Sequence, residues 1–225
     1  MRVVTPLLWW GLGRTAFSAG TRLLAPLKVY GRERVPRHGG LVLACNHLHW
    51  IDVPVLGTLT PRRIVFLAKV EAHEVPGLGQ LIRGFGTLSV RRGESDREAI
   101  RLARESVRHG SALGLFVEGT RQRSEPGEAK RGAAMIAMQE GVPVVPAAIY
   151  GSNEWRPGNF APVSLAWGEP LRFEHLPRNA KGYREATAEI QGEIRRLWDF
   201  LGEMHRLGRP HGVPPRRAAV PSRTA

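Results

Sequence analysis

Short apolar runs alternate with amphipathic stretches along most of this 225-residue chain. Runs rich in aliphatic and β-branched residues, set off by Gly and Pro, predict strands over 41–45, 64–68, 87–90, 112–117, 143–149 and 163–167. Helical patterns fall between and after them. Ser95-Asp96-Arg97-Glu98 has capping-box spacing, Gly110 supplies a stop, and Ile100, Ala103 and Val107 form an apolar stripe between the two. Ala133 to Glu140 reads as a short apolar helix ended by Gly141. Tyr183, Thr187, Ile190, Ile194, Leu197 and Leu201 step by three or four and predict a long amphipathic helix. Tyr30 to Gly40 is polar and reads as a connector into the first core strand. Strands alternating with helices give an α/β fold, a single domain with a mixed, largely parallel sheet flanked by helices.

The two ends differ from this body. Over 1–28, Leu7-Leu8-Trp9-Trp10, Phe17 and Leu23-Leu24 are interrupted by Arg2, Arg14, Arg22 and Lys28. The longest uncharged run, Val3 to Gly13, falls short of the ~20 apolar residues a spanning helix needs. Trp and Leu mixed with Arg suit an N-terminal membrane-associating helical segment lying in the interface; the competing reading is a helix packed on the domain. The body covers 29–205. From 206 to 225 the chain is basic, rich in Pro and Arg and without acids, and is expected to be a disordered tail whose arginines add membrane attraction.

Charge narrows the partners. Lys and Arg number 33 against 20 Asp and Glu, a formal net charge of +13, which attracts anionic lipid head groups, coenzyme A or nucleic acid. No basic stripe interleaved with aromatics and no groove-reading module appears, so nucleic acid is not an expected partner. One cysteine, Cys45, excludes an intramolecular disulfide and reads as a small buried strand residue rather than a nucleophile.

Three of the predicted strands end in chemically capable residues. The run 41–45 leads into Asn46-His47-Leu48-His49-Trp50-Ile51-Asp52. A histidine can take a proton near neutral pH, and a carboxylate can fix its tautomer and steady the imidazolium. In a regular helix positions i and i+5 stand about 140° apart, so His47 and Asp52 can pair only across a turn or helix start. Gly86-Thr87-Leu88-Ser89-Val90-Arg91-Arg92 ends in paired arginines, and 112–117 delivers Glu118-Gly119-Thr120-Arg121. In open α/β sheets ligands collect beyond the carboxyl ends of strands. One base and two cationic sites on one rim describe a site for a phosphorylated substrate with a reactive hydroxyl.

These blocks resemble, in order, those of the phospholipid-synthesis acyltransferases, the family typified by bacterial 1-acylglycerol-3-phosphate acyltransferase. His47-x4-Asp52 matches its first block, Gly86 to Arg92 the second, Glu118-Gly119-Thr120-Arg121 the third and Gly141-Val142-Pro143-Val144-Val145-Pro146 the fourth. Ala68-Lys69, Glu71, Pro76, Gly79 and Gly86 fall in its linking segment, and Lys130-Arg131-Gly132 is similar to its Lys-x-Gly stretch. The likeness covers 28–175. It departs at Val117, where the family has Pro, and at Ser89, where it has an aromatic residue.

The resemblance implies acyl transfer from a thioester, acyl-CoA or acyl carrier protein, to the free hydroxyl of a lysophospholipid. The expected acceptor is 1-acyl-glycerol 3-phosphate and the product phosphatidic acid; the alternatives are another lysophospholipid or lipid hydroxyl, or a non-catalytic lipid-binding protein. His47 would be the general base and Asp52 its orienting group, with no acyl-enzyme because the hydroxyl is itself the nucleophile. Asn46 would orient the loop or polarise the carbonyl. Arg92, with Arg91 as its rival, and Arg121 would grip the phosphate. Glu118 would pair with an arginine or bind a substrate hydroxyl. Gly119 would let backbone N–H groups approach the ligand, Thr120 would donate a hydrogen bond, and 142–146 would shape an acyl pocket or buried strand. No cofactor is implied beyond the thioester co-substrate. His47 and His49 lack the acidic or thiol cluster that would complete a metal site. The membrane surface is an expected partner, with the protein peripheral on the cytoplasmic face, where thioester donors are found.

Overall fold

A computed structural model describes residues 25–69, 88–90 and 96–216. The segment 1–24, the linking residues 70–87, Arg91, Arg92, the capping residue Ser95 and the end of the tail, 217–225, lie outside the described residues.

The strands are β1 (Leu27–Tyr30), β2 (Leu41–Cys45), β3 (Ile64–Lys69), β4 (Leu88–Val90), β5 (Ala112–Phe116), β6 (Val144–Tyr150) and β7 (Val163–Trp167). They form one seven-stranded sheet in the order β1-β7-β6-β2-β5-β3-β4. Strands β2 to β6 run parallel; β7 is antiparallel to β6, and β1 is parallel to β7. The carboxyl ends of β2, β5 and β6 therefore share one rim with the amino ends of β7 and β1.

Helices cover both faces. Helix α1 (Asp52–Leu59) packs on one face with Leu41, Leu43, Cys45, Val145 and Trp167. Helices α2 (Asp96–Arg108), α3 (Gly132–Glu140) and α4 (Ala180–Arg206) cover the other, where Val42, Ala44, Leu113 and Val144 meet Ala103, Ile136 and Ile190. Every residue of β2 is buried, so it reads as a continuous apolar run rather than an alternating one.

Local chemistry sets the helix ends. The Asn179 side chain accepts from the N–H groups of Lys181 and Gly182, an N-cap worth about 1 kcal/mol. The predicted stripe of α4 is buried at Thr187, Ile190, Ile194, Leu197 and Leu201. Among the described residues no helix is long and apolar enough to cross a membrane.

Two expectations need correction. The expected strands omit β1, of which the connector takes only Tyr30; the 28/29 boundary falls within that strand, whose four residues pair with β7. Nor is the start of the tail loose. After α4 it runs back along β1: the Tyr30 hydroxyl donates to Pro210 O at 3.2 Å, Lys28 donates to Arg209 O, and Arg34 donates to Pro214 O at 2.6 Å and to Pro215 O at 3.3 Å. Backbone carbonyls, with the buried ring of Pro214, hold this strap, so composition alone reads it as disordered.

His205, near the end of α4, faces Ser164 with Nε2 2.9 Å from Oγ, and its ring lies 4.8 Å from that of Tyr150 at an angle of 59°. Burial, with help from Arg209, pushes its imidazole down to about 4. Its unfolded value stays near 6.5, so between these values the unfolded chain binds the extra proton and stability falls as pH falls. Allowing for its partial exposure, acidification from pH 7 to pH 5 is expected to cost about 1 kcal/mol through this group. Denaturant titration at both pH values checks this, and His205→Gln should remove that part of the difference.

Candidate active site

Register places the site. Cys45 of β2 pairs with Phe116 of β5, so the loops leaving both strands start side by side. The chain turns at 49–51 and begins α1 at Asp52, the arrangement an i, i+5 pair requires. Asp52 is fully buried, and its Oδ2 lies 2.9 Å from His47 Nδ1. The same oxygen accepts the N–H groups of Leu48 at 2.6 Å and His49 at 2.7 Å. Three bonds to one oxygen fix the carboxylate and hold the histidine as the Nδ1–H tautomer, which leaves Nε2 as the basic nitrogen. The His47 side chain keeps 16% of its surface exposed.

A ring stack sets the imidazole plane. Phe116 lies 4.0 Å from the His47 ring at an interplanar angle of 18°, and Phe66 stacks behind Phe116 at 6.2 Å. Gly114 makes room for this: a Cβ there would stand 2.6 Å from the Phe66 ring.

Glu118, 3% exposed, joins the two loops. Its Oε2 accepts His47 N–H at 2.7 Å and its Oε1 accepts Gly127 N–H at 2.9 Å. Gln122 N–H returns a bond to His47 O at 2.7 Å, and Lys130 N–H bonds Val117 O at 2.8 Å. Burial raises the Glu118 carboxyl above its usual range, and the two N–H bonds act against that rise. Among the described residues Glu118 thus pairs with no arginine, and both of its carboxylate oxygens are held by backbone N–H groups, so it clamps the histidine loop.

Asn46 is likewise a structural clamp. Fully buried, it donates from Nδ2 to Ile149 O at 3.0 Å and accepts Ile149 N–H at 2.8 Å, extending the β2–β6 ladder by one side chain. Of its two expected roles, orienting the loop is the one this geometry allows. The N–H groups of His47, Leu48 and His49 are all taken by carboxylates. An oxyanion formed here needs donors from elsewhere.

Gly119 adopts φ +71° and spends its own N–H on Phe116 O at 3.1 Å, so that group is not offered to a ligand. A Cβ there would stand 2.9 Å from Lys130 Nζ. Thr120 and Arg121 are exposed on the same turn. Arg121 lies close enough to His49 to act on it: burial lowers that imidazole, Asp52 opposes, and Arg156 and Arg121 lower it further. His47, Asp52, Glu118 and Arg121 therefore meet at one rim. Strand β4, which precedes Arg92, lies three ladder steps from β2, about 14 Å away. The run 142–146 is mainly strand: Val144, Val145 and Pro146 lie in buried β6.

A family model described as Acyltransferase matches residues 26–150. The chain belongs to that acyltransferase family. It is 34% identical over 186 residues to a 1-acyl-sn-glycerol-3-phosphate acyltransferase from Bacillus subtilis (strain 168), covering 79% of this chain and 91% of that one. It is 35% identical over 189 residues to a lyso-ornithine lipid O-acyltransferase from Pseudomonas aeruginosa, covering 80% and 68%. The fold matches the crystal structure of the 1-acyl-sn-glycerophosphate acyltransferase PlsC from Thermotoga maritima with a TM-score of 0.65 and 26% identity, over 86% of this chain and 78% of that one. The family expected from the ordered blocks is the family found, and this acyltransferase is an enzyme of phospholipid type.

Sequence reading of this acyltransferase missed Phe116, Phe66, Gly114, Gly127 and Gln122. Only Gly114, a glycine inside an apolar strand, carries a signal of close approach.

Proposed function

We propose that this enzyme moves a fatty acyl group from a thioester donor to the free hydroxyl of a lysophospholipid, with 1-acyl-glycerol 3-phosphate as preferred acceptor and phosphatidic acid as product. The observation that carries the reading is the buried Asp52 carboxylate 2.9 Å from His47 Nδ1. His47 Nε2 takes the hydroxyl proton as that oxygen attacks the thioester carbonyl. The tetrahedral intermediate collapses, the C–S bond breaks, and the imidazolium returns the proton to the departing thiolate. The donor is acyl-CoA or acyl carrier protein. The protein works peripherally on the cytoplasmic face of the membrane, where those donors are.

Arg121 supplies the guanidinium for the acceptor phosphate, with Arg92 in a supporting role. Arg121→Ala is expected to raise the KM for 1-acyl-glycerol 3-phosphate about tenfold, in keeping with one charge-assisted hydrogen bond, and to leave the KM for the thioester unchanged. Steady-state kinetics with each substrate varied in turn checks this. The Pseudomonas aeruginosa relative favours a second reading, in which the hydroxyl belongs to a lyso-ornithine lipid. Initial rates on the two acceptors distinguish the readings: a faster rate on lyso-ornithine lipid, indifferent to Arg121, would displace the phosphate acceptor.

A further inference from the structure

Four large hydrophobic residues are exposed among the described residues: Trp50, Phe160, Leu207 and Val213. The topology puts the first three at one end of the molecule. Trp50 follows His47 in the loop leaving β2. Phe160 sits in the loop 151–162, which joins the carboxyl end of β6 to the amino end of β7 at that rim. Leu207 ends α4, whose His205 meets Ser164 at the start of β7. Val213 lies toward the opposite rim, next to Pro214, which approaches Gly31 beyond the end of β1.

The loop holding Phe160 is built and strained. Asn159 Oδ1 accepts N–H groups from Arg156 at 3.0 Å and Ala161 at 3.1 Å, and its Nδ2 donates to Glu154 O at 2.9 Å. This folds Phe160 into the left-handed region at φ +50°, which a residue with a Cβ seldom adopts. The ring it displays is 59% exposed. Trp50, 50% exposed, packs edge-on against Trp155 of the same loop at 5.6 Å, and the His49 ring completes the cluster at 5.6 Å from Trp50 and 5.9 Å from Trp155. Arg156 of this loop is exposed and donates to Asn153 O at 2.8 Å and to Trp155 O at 2.7 Å, and the exposed Arg121 follows β5 at the same rim, with Glu154 the acid of the loop. Exposed aromatic rings beside arginines match the chemistry of a membrane–water interface. A chain of net charge +13 complements anionic lipid.

We propose that this rim is a bilayer-docking surface, with Trp50, Phe160 and Leu207 seated among anionic head groups so that His47 opens toward the lipid. The proposal rests on the lysophospholipid reading for its purpose, but not for its test.

Sedimentation of the full chain with phosphatidylcholine vesicles containing phosphatidylglycerol measures partition directly. Phe160→Ser combined with Leu207→Ser is expected to lower the partition coefficient about tenfold, and Val213→Ser to leave it unchanged. Phe160→Gly separates docking from folding: it relieves the left-handed backbone, so its melting temperature should hold or rise while partition falls. Rates on a water-soluble short-chain acceptor should match wild type in all these variants. Partition unchanged in the double variant, or equally reduced by Val213→Ser, would overturn the proposal. So would a concentration-dependent dimer lost on Phe160→Ser, which would assign the surface to a second copy. Absence of transfer to any acceptor by wild type would remove the functional reading instead, and partition would still decide this one.

Discussion

His47→Ala is expected to lower kcat by about 10³-fold, within the range for loss of a positioned general base, while the fold persists. The fold persists because Asp52 Oδ2 still accepts Leu48 and His49 N–H, and the loop stays anchored at both ends by Glu118 and Gln122. Asp52→Asn is the sharper companion. Among the described residues Oδ1 of Asp52 has no partner, so an amide can keep its oxygen on the three donors and set its nitrogen in the place of Oδ1. Geometry then survives and only the charge that steadies the imidazolium is lost, for an expected fall in kcat of about 10²-fold or more. Single-turnover rates with saturating substrates, alongside denaturant melts, separate loss of chemistry from loss of structure. Unfolding of His47→Ala, or a rate close to wild type, would contradict this assignment.

Glu118→Gln is the second large effect. The carboxylate accepts two backbone N–H groups in a buried place, one of them from His47. A glutamine has one oxygen for two donors, so its amide nitrogen must face an N–H. Each such charge-assisted bond is worth about 1.5–3 kcal/mol, and the loss falls on both stability and the placing of His47. The expected result is about 2 kcal/mol of lost stability and a fall in kcat of about tenfold or more, with little change in the KM for either substrate. A pure binding role would instead raise the acceptor KM and leave kcat alone. Glu118→Ala leaves both donors unmatched and should cost more stability than Glu118→Gln.

The frame of this molecule was legible where strands are buried throughout and flanked by glycine or proline, as in β2 after Gly40 and β7 between Pro162 and Gly168. Runs such as 41–45 and 163–167 coincide with β2 and β7 as observed. β1 was not legible: a run of four residues on the sheet edge, interrupted by Lys28, is too short to stand out. The pairing of His47 with Asp52 was readable from spacing, since a histidine and a carboxylate five apart can meet only across the turn that the chain makes. The roles of Asn46 and Glu118 were not. Polar residues in a motif look like ligand-binding groups until burial shows that their atoms are spent on Ile149, His47 and Gly127. The ring stack of Phe66 and Phe116 behind His47 depends on strand order, which no local pattern contains.

The most direct measurement follows free thiol and phosphatidic acid together in one reaction of purified protein, 1-acyl-glycerol 3-phosphate and palmitoyl-CoA. The account predicts equal molar amounts of the two products with wild type, no thiol release when the acceptor is omitted, and neither product above background with His47→Ala. Thiol released stoichiometrically with enzyme in the absence of acceptor would show an acyl-enzyme, and phosphatidic acid made equally fast by His47→Ala would remove the base; either result contradicts it.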